Sequence, residues 1–114
     1  MGQEIEINNL QELSDWIENN NFHIFDKEED NFTIEAPNNA TWQIQFDKDD
    51  EIDDIISKTI EQLEEFDADN EFMELWSVDF AEHNHFSPSQ FIRMLQEDEA
   101  SLKELAGELK QLIN

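Results

Sequence analysis

The chain reads as an α+β domain: a small antiparallel sheet of about three strands, packed with helices and followed by a helical C-terminal half. Three observations predict this. Between residues 22 and 46, apolar residues recur at alternate positions in three short segments separated by turn-forming residues. That is the pattern of strands with one buried face. From residue 50 the apolar period becomes helical. Ser87-Pro88-Ser89-Gln90 then spells a capping box with Pro at the first helical position, a specific helix-start signal. The length, 114 residues, suits a single domain over 1–114 with a real core.

The elements follow in order. Residues 3–7 alternate polar and apolar, with Ile5 and Ile7 on one side, and predict a short strand. Asn8 or Asn9 caps a first helix running to about Asn19, with Leu10, Leu13, Trp16 and Ile17 on its apolar face. Three strands come next. Phe22 and Ile24 lead the first, Phe32, Ile34 and Ala36 the second, and Trp42, Ile44 and Phe46 the third, with turns over residues 27–31 and 37–40. This is a meander with one buried and one polar face.

A helix capped by Asp49 or Asp50 then places Ile52, Ile55, Ile56, Ile60 and Leu63 inward and its acids outward. Another runs over residues 69–82, with Phe72, Leu75, Trp76 and Phe80 inward. The capping box opens a short helix carrying Phe91, Ile92, Met94 and Leu95, and a last helix begins near Asp98. The tryptophans at 16, 42 and 76 are expected to be largely buried, with the sheet between the first helix and the later ones.

Charge is the outstanding feature. Thirty residues are Asp or Glu and six are Lys or Arg, for a formal net charge of −24. Between residues 47 and 71 stand twelve acids, Asp47, Asp49, Asp50, Glu51, Asp53, Asp54, Glu61, Glu64, Glu65, Asp67, Asp69 and Glu71, against Lys48 and Lys58. Like charges at this density oppose compaction. Most charge runs are a solvated helix face, but this one lacks the usual lysine partners. The late acids of its helix also oppose the helix dipole. A carboxylate rod on a rigid helix, with Asp54 and Glu61 about 10 Å apart along the axis, resembles a phosphate track in spacing and field. The twelve acids are therefore the candidate partner-binding residues. The expected partner is a basic nucleic-acid-binding protein; nucleic acid itself and anionic membranes would be repelled.

Other chemistry finds little support. There is no cysteine, hence no thiolate metal or redox site. Asp47-Lys48-Asp49-Asp50-Glu51 starts like a calcium loop. It has Ile52 where the turn needs Gly, and Lys58 where a bidentate Glu is needed. His83-Asn84-His85 lacks the surroundings of a nuclease motif and reads as loop polars or a helix end. No Gly-rich phosphate loop or Gly-x-Ser-x-Gly elbow is present. The expectation is a chain that is not an enzyme, with no metal and no cofactor. No membrane-length apolar run or signal peptide is visible, so the expected location is cytoplasmic.

Two resemblances bear on function. The stretch Glu65-Phe66-Asp67-Ala68-Asp69-Asn70-Glu71-Phe72-Met73-Glu74-Leu75-Trp76, with residues 87–93 and 98–109 after it, resembles small acidic accessory proteins of conjugative elements and phages of low-GC Gram-positive bacteria. In overall character the chain is similar to the DNA-mimic inhibitors, the anti-restriction and anti-CRISPR proteins. Those share no motif, so no residue roles carry over. The resemblance implies a mode of action, occupation of the positive DNA- or RNA-binding groove of a defence protein such as a CRISPR effector or restriction enzyme. The alternative is an adaptor or immunity-type protein that binds a basic partner without mimicry.

Overall fold

A computed structural model of the chain describes residues 7–76, 85 and 87–112. Among them the order is α1 (Leu10–Glu18), β1 (His23–Phe25), β2 (Asn31–Glu35), β3 (Thr41–Gln45), α2 (Ile52–Glu65), α3 (Ala68–Leu75) and α4 (Pro88–Leu112). The strands form one antiparallel sheet in the order β1-β2-β3. The arrangement is the α+β one that the sequence predicts. Of the strand expected over residues 3–7 only Ile7 is described, and it belongs to no strand; the rest of that segment and the inward Phe80 lie outside the described residues.

Helix α1 starts where its caps place it. Asn9 Oδ1 accepts from Glu12 N–H at 2.9 Å, and the Glu12 carboxylate accepts from Asn8 N–H at 2.9 Å. These bonds satisfy donors that a helix start leaves open. Leu13 and Ile17, one turn apart, are fully buried. Asn21 then takes the left-handed conformation (φ 71°), which Asn tolerates better than most residues, and turns the chain into β1.

The sheet register pairs Ile24 with Ile34, Ile34 with Trp42, and Phe32 with Ile44. Those side chains form the inner face; Thr33, Gln43 and Gln45 stand on the other, which is polar. α1 packs on β1 and also touches α2, while α2 packs on β3. The helices thus share one face. The expected placement of the sheet between α1 and the later helices is corrected, because the outward residues of β2 and β3 are polar and offer no apolar surface to cover.

A helix side chain covers part of each sheet edge. Gln62 of α2 exchanges bonds with the Gln45 backbone, accepting from its N–H at 2.9 Å and donating to its carbonyl at 2.7 Å. Glu18 of α1 accepts from Ile24 N–H at 3.3 Å. An open edge would invite pairing with another chain.

One cluster of buried residues, including Leu13, Phe32, Ile44, Leu63, Phe66, Leu102 and Leu109, joins the elements. Trp16, Trp42 and Trp76 are half-buried against it rather than largely buried as expected. Trp42 keeps its indole at the rim, where Nε1 donates to Gln62 O at 2.7 Å and the ring meets Phe66 edge-on at 5.1 Å. An amphipathic side chain settles there because its polar end finds a partner. Leu75, expected inward, is 48% exposed. α3 instead packs on α4 through Phe72 and Trp76, which meet Phe91 at 5.8 Å each.

The two C-terminal helices of the sequence reading are one, α4, of 25 residues. It begins at the predicted capping box: Ser87 Oγ accepts from Gln90 N–H and Gln90 Oε1 accepts from Ser87 N–H. No break occurs at Asp98. The buried stripe Phe91, Leu95, Asp98, Leu102, Leu105, Leu109 keeps helical phase straight through it. Asp98 caps something else. Its Oδ1 accepts from Asn38 N–H at 2.9 Å and its Oδ2 from Ala40 N–H at 3.0 Å. It therefore pins the β2–β3 turn to the middle of α4.

Candidate partner-binding surface

The twelve belt acids fall into three groups by the elements that carry them. Asp47, Asp49, Asp50 and Glu51 lie in the loop between β3 and α2. This loop is internally braced. Asp50 Oδ2 accepts from Asp47 N–H at 3.0 Å, and Lys58, nearly two turns into α2, places Nζ 2.5 Å from Asp50 and 3.2 Å from Asp47. The expected cap of α2 by Asp49 or Asp50 is absent, because Asp50 is already engaged there. Glu51 holds the cap position without a side-chain bond. The Lys58 bond, then the Asp47 amide, holds the Asp50 carboxyl below the usual carboxylate range. The bond to Asp50 raises the Lys58 ammonium in turn.

The second group is Asp53, Asp54, Glu61, Glu64 and Glu65, all exposed on α2. Burial of Ile55, Ile56, Thr59, Ile60 and Leu63 fixes the other side of the helix against the core. At 100° per residue the five acids fall within about a third of the helix circumference, and they span about 18 Å of axis. Their average spacing is about 4.5 Å along the axis, uneven and wider than the about 3.4 Å between charges along a single strand of B-DNA. Glu64 is ion-paired with Lys110 of α4 at 2.7 Å. Asp53, Asp54, Glu61 and Glu65 make no side-chain hydrogen bond or ion pair among the described residues.

The third group, Asp67, Asp69 and Glu71, belongs to the start of α3. Asp67 is its N-cap, accepting from Asp69 N–H at 3.0 Å and Asn70 N–H at 3.3 Å. Glu99 of α4 fixes the same helix start by accepting from Ala68 N–H at 2.7 Å. Glu71 is half-buried, and its carboxyl is raised by that burial first and by Glu74 and Asp67 second. These acids do not continue the α2 stripe on one helix, and Asp67 has local structural work.

The sequence reading missed a neighbouring acidic group. Glu28, Glu29 and Asp30 of the β1–β2 turn line a shallow depression with Lys48, and Asp30 O accepts from Phe46 N–H at 2.9 Å. The two segments meet because the register Asn31 to Gln45 puts the turn before β2 beside the loop after β3. The alternation that predicts the meander contained this signal, since antiparallel neighbours bring alternate connections to one end of a sheet.

His83 lies outside the described residues, and His85 is an exposed turn residue at φ 56°. Among the described residues no three His, Asp or Glu side chains converge to hold a metal ion, and no helix is long and apolar enough to cross a membrane. The surface as built projects fixed negative charge from a rigid helix. No family model, curated protein or solved structure matches the chain.

Proposed function

We propose that this chain is a stoichiometric, non-catalytic inhibitor that occupies the positively charged DNA- or RNA-binding groove of a defence protein, a CRISPR effector or a restriction enzyme, in the cytoplasm. The observation that carries the reading is the α2 stripe. Asp53, Asp54, Glu61 and Glu65 are exposed and unpaired, a line of fixed negative charge along about 18 Å of helix axis that is sparser than the phosphates of a nucleic-acid strand but of the same sign and direction. Each phosphate-like carboxylate that replaces nucleic acid in such a groove exploits lysines and arginines already placed for it. Association is steered by the field and weakens steeply with salt. The inhibitor itself needs no nucleophile, metal or cofactor for this.

A specific observation favours a second reading, an adaptor that binds a basic partner without mimicry. Asp50, Glu64 and Asp67 are used locally, in ion pairs and a helix cap. The belt is thus not one uninterrupted track. Competition separates the readings. A basic target captured at low salt should lose DNA or RNA binding in proportion to added chain, with an endpoint at one chain per groove. A target that binds this chain and nucleic acid together supports the adaptor instead.

A further inference from the structure

A cavity of about 340 Å³ lies where the end of α1 and the turn after it face the second half of α4. Glu104, Leu105 and Glu108 wall it from α4, and Asn19, Asn21 and Phe22 wall it from the opposite side. Positions 104 and 108 stand one helical turn apart, which brings both carboxylates to the same cavity. Leu105 and Phe22 are buried and form its apolar base; Asn19 and Asn21 are exposed and bring two carboxamides. The volume falls in the range of small-ligand sites, whose usual make-up is an apolar base with a few polar groups converging on it.

The electrostatics of the cavity are one-sided. Neither Glu104 nor Glu108 makes a side-chain hydrogen bond or ion pair among the described residues. The lysines near them in sequence are used elsewhere, Lys103 by Glu99 and Lys110 by Glu64. α1 ends at this wall with no basic residue in its last turn, so the negative end of its dipole adds to the carboxylates. No Lys, Arg or His lines the cavity among the described residues. The field favours a cation, and the apolar base selects among cations. An ammonium is compact and strongly hydrated. A guanidinium is planar and weakly hydrated, carries five N–H donors in a fork, and ends a stem that apolar surface can cover. The two carboxylates and the amide oxygens of Asn19 and Asn21 offer those donors acceptors on more than one side.

We propose that this cavity binds an arginine side chain presented by a partner protein. The guanidinium meets the carboxylates and carboxamides, and its methylene stem covers Phe22 and Leu105. None of the residues lining the cavity belongs to α2. The site therefore does not draw on the acidic stripe, and its test stands whether or not the stripe competes with nucleic acid.

The test is NMR titration of the wild-type chain in about 0.15 M salt, where the field of distant acids is screened beyond about 8 Å. The probes are N-acetyl-arginine amide, its lysine counterpart, and its citrulline counterpart, which keeps arginine's shape without the charge. The arginine probe should shift the backbone amides of Asn21, Phe22, Leu105 and Glu108 along one saturating curve, and leave those of Asp53 and Glu61 in place. It should bind about tenfold or more tighter than the citrulline probe, the factor that a hydrogen bond to a charged group carries, and tighter than the lysine probe. Glu104→Gln with Glu108→Gln, both at exposed positions, should weaken binding about tenfold or more. Asp53→Asn with Asp54→Asn, the same change of charge on α2, should not. The comparison of probes on the wild-type chain needs no variant. Citrulline or lysine probes that bind as tightly as arginine, or a response that does not saturate, overturn the proposal. So do free arginine binding more tightly than its capped form, a folded variant at 104 and 108 that binds like wild type, and equal weakening by the two double variants.

Discussion

The Nζ of Lys58 lies 2.5 Å from Oδ2 of Asp50, and the same ammonium reaches Asp47 at 3.2 Å. In the sequence, Lys58 stands where a calcium loop would need its last carboxylate. In the fold it supplies the positive charge itself, tying the loop after β3 to the first turns of α2. The belt therefore carries an internal lysine bridging two of its acids.

Replacing that lysine, Lys58→Met, should loosen the loop and strengthen binding to a basic groove, since it removes a cation from the belt and frees Asp47 and Asp50. The Asp50 carboxyl should rise toward its ordinary value, read by NMR titration. Because the folded Asp50 is lowered, its contribution to stability is present above the unfolded carboxylate value of 3.8 and is lost as pH falls through the folded one. Because the folded Lys58 is raised, its contribution is present below 10.5 and is lost as pH rises beyond that. The stability difference between wild type and Lys58→Met should accordingly shrink at both extremes of pH.

The core is tested at Phe32, 1% exposed on the central strand. Phe32→Ala should cost about 3–5 kcal/mol in denaturant unfolding. Trp42→Phe should cost about 1–2 kcal/mol by a different route, since it leaves the Gln62 carbonyl without the indole donor. A Trp42→Phe variant as stable as wild type would show that this carbonyl finds water instead.

Asp67 separates structural acids from binding ones. Asp67→Ala removes the α3 cap and should cost roughly 0.5–2 kcal/mol of stability. Binding should change little. A variant of normal stability with much weakened binding would move Asp67 from helix cap to contact residue.

Salt should act on the fold through repulsion, and pH through carboxyls raised mainly by burial. Added salt should raise Tm, because a Debye length of about 10 Å at 0.1 M screens like charges. Glu71 and Asp98 have raised carboxyls in the folded state, so at these two groups the folded chain holds more protons than the unfolded one in the acid range. Their contribution makes stability rise as pH falls into that range. Thermal melts across salt and pH check both directions. A Tm that falls with salt would show that pairs such as Lys110–Glu64 outweigh the repulsion.

What the sequence makes legible is what local periodicity encodes. Phe32, Ile34 and Ile44 alternate, Ile55, Ile56, Ile60 and Leu63 recur at helical spacing, and Asn9 and Ser87 mark helix starts. What it hides is set by partners far along the chain. Residues 97–99 look like the acidic first turn of a new helix, yet they lie inside α4 and bond to Asn38, Ala40 and Ala68. Lys58 looks like an isolated cation until the loop folds back on it. Likewise, the acids of residues 28–30 join the start of the belt only through strand pairing. The outward face of α2 was readable from periodicity alone. The division of the belt into free acids and locally engaged ones was not, because caps and ion pairs depend on geometry.

The central claim is that the free acids of the α2 stripe compete with nucleic acid for one groove. The most direct measurement is a competition assay in about 50 mM salt, with the captured basic target, labelled DNA or RNA, and the variant carrying Asp53→Lys, Asp54→Lys, Glu61→Lys and Glu65→Lys. These four positions are exposed and make no described side-chain bond, so circular dichroism should show the fold retained. The account predicts that wild-type chain displaces the nucleic acid stoichiometrically and the folded variant does not. A folded variant that displaces it as well as wild type would contradict the account.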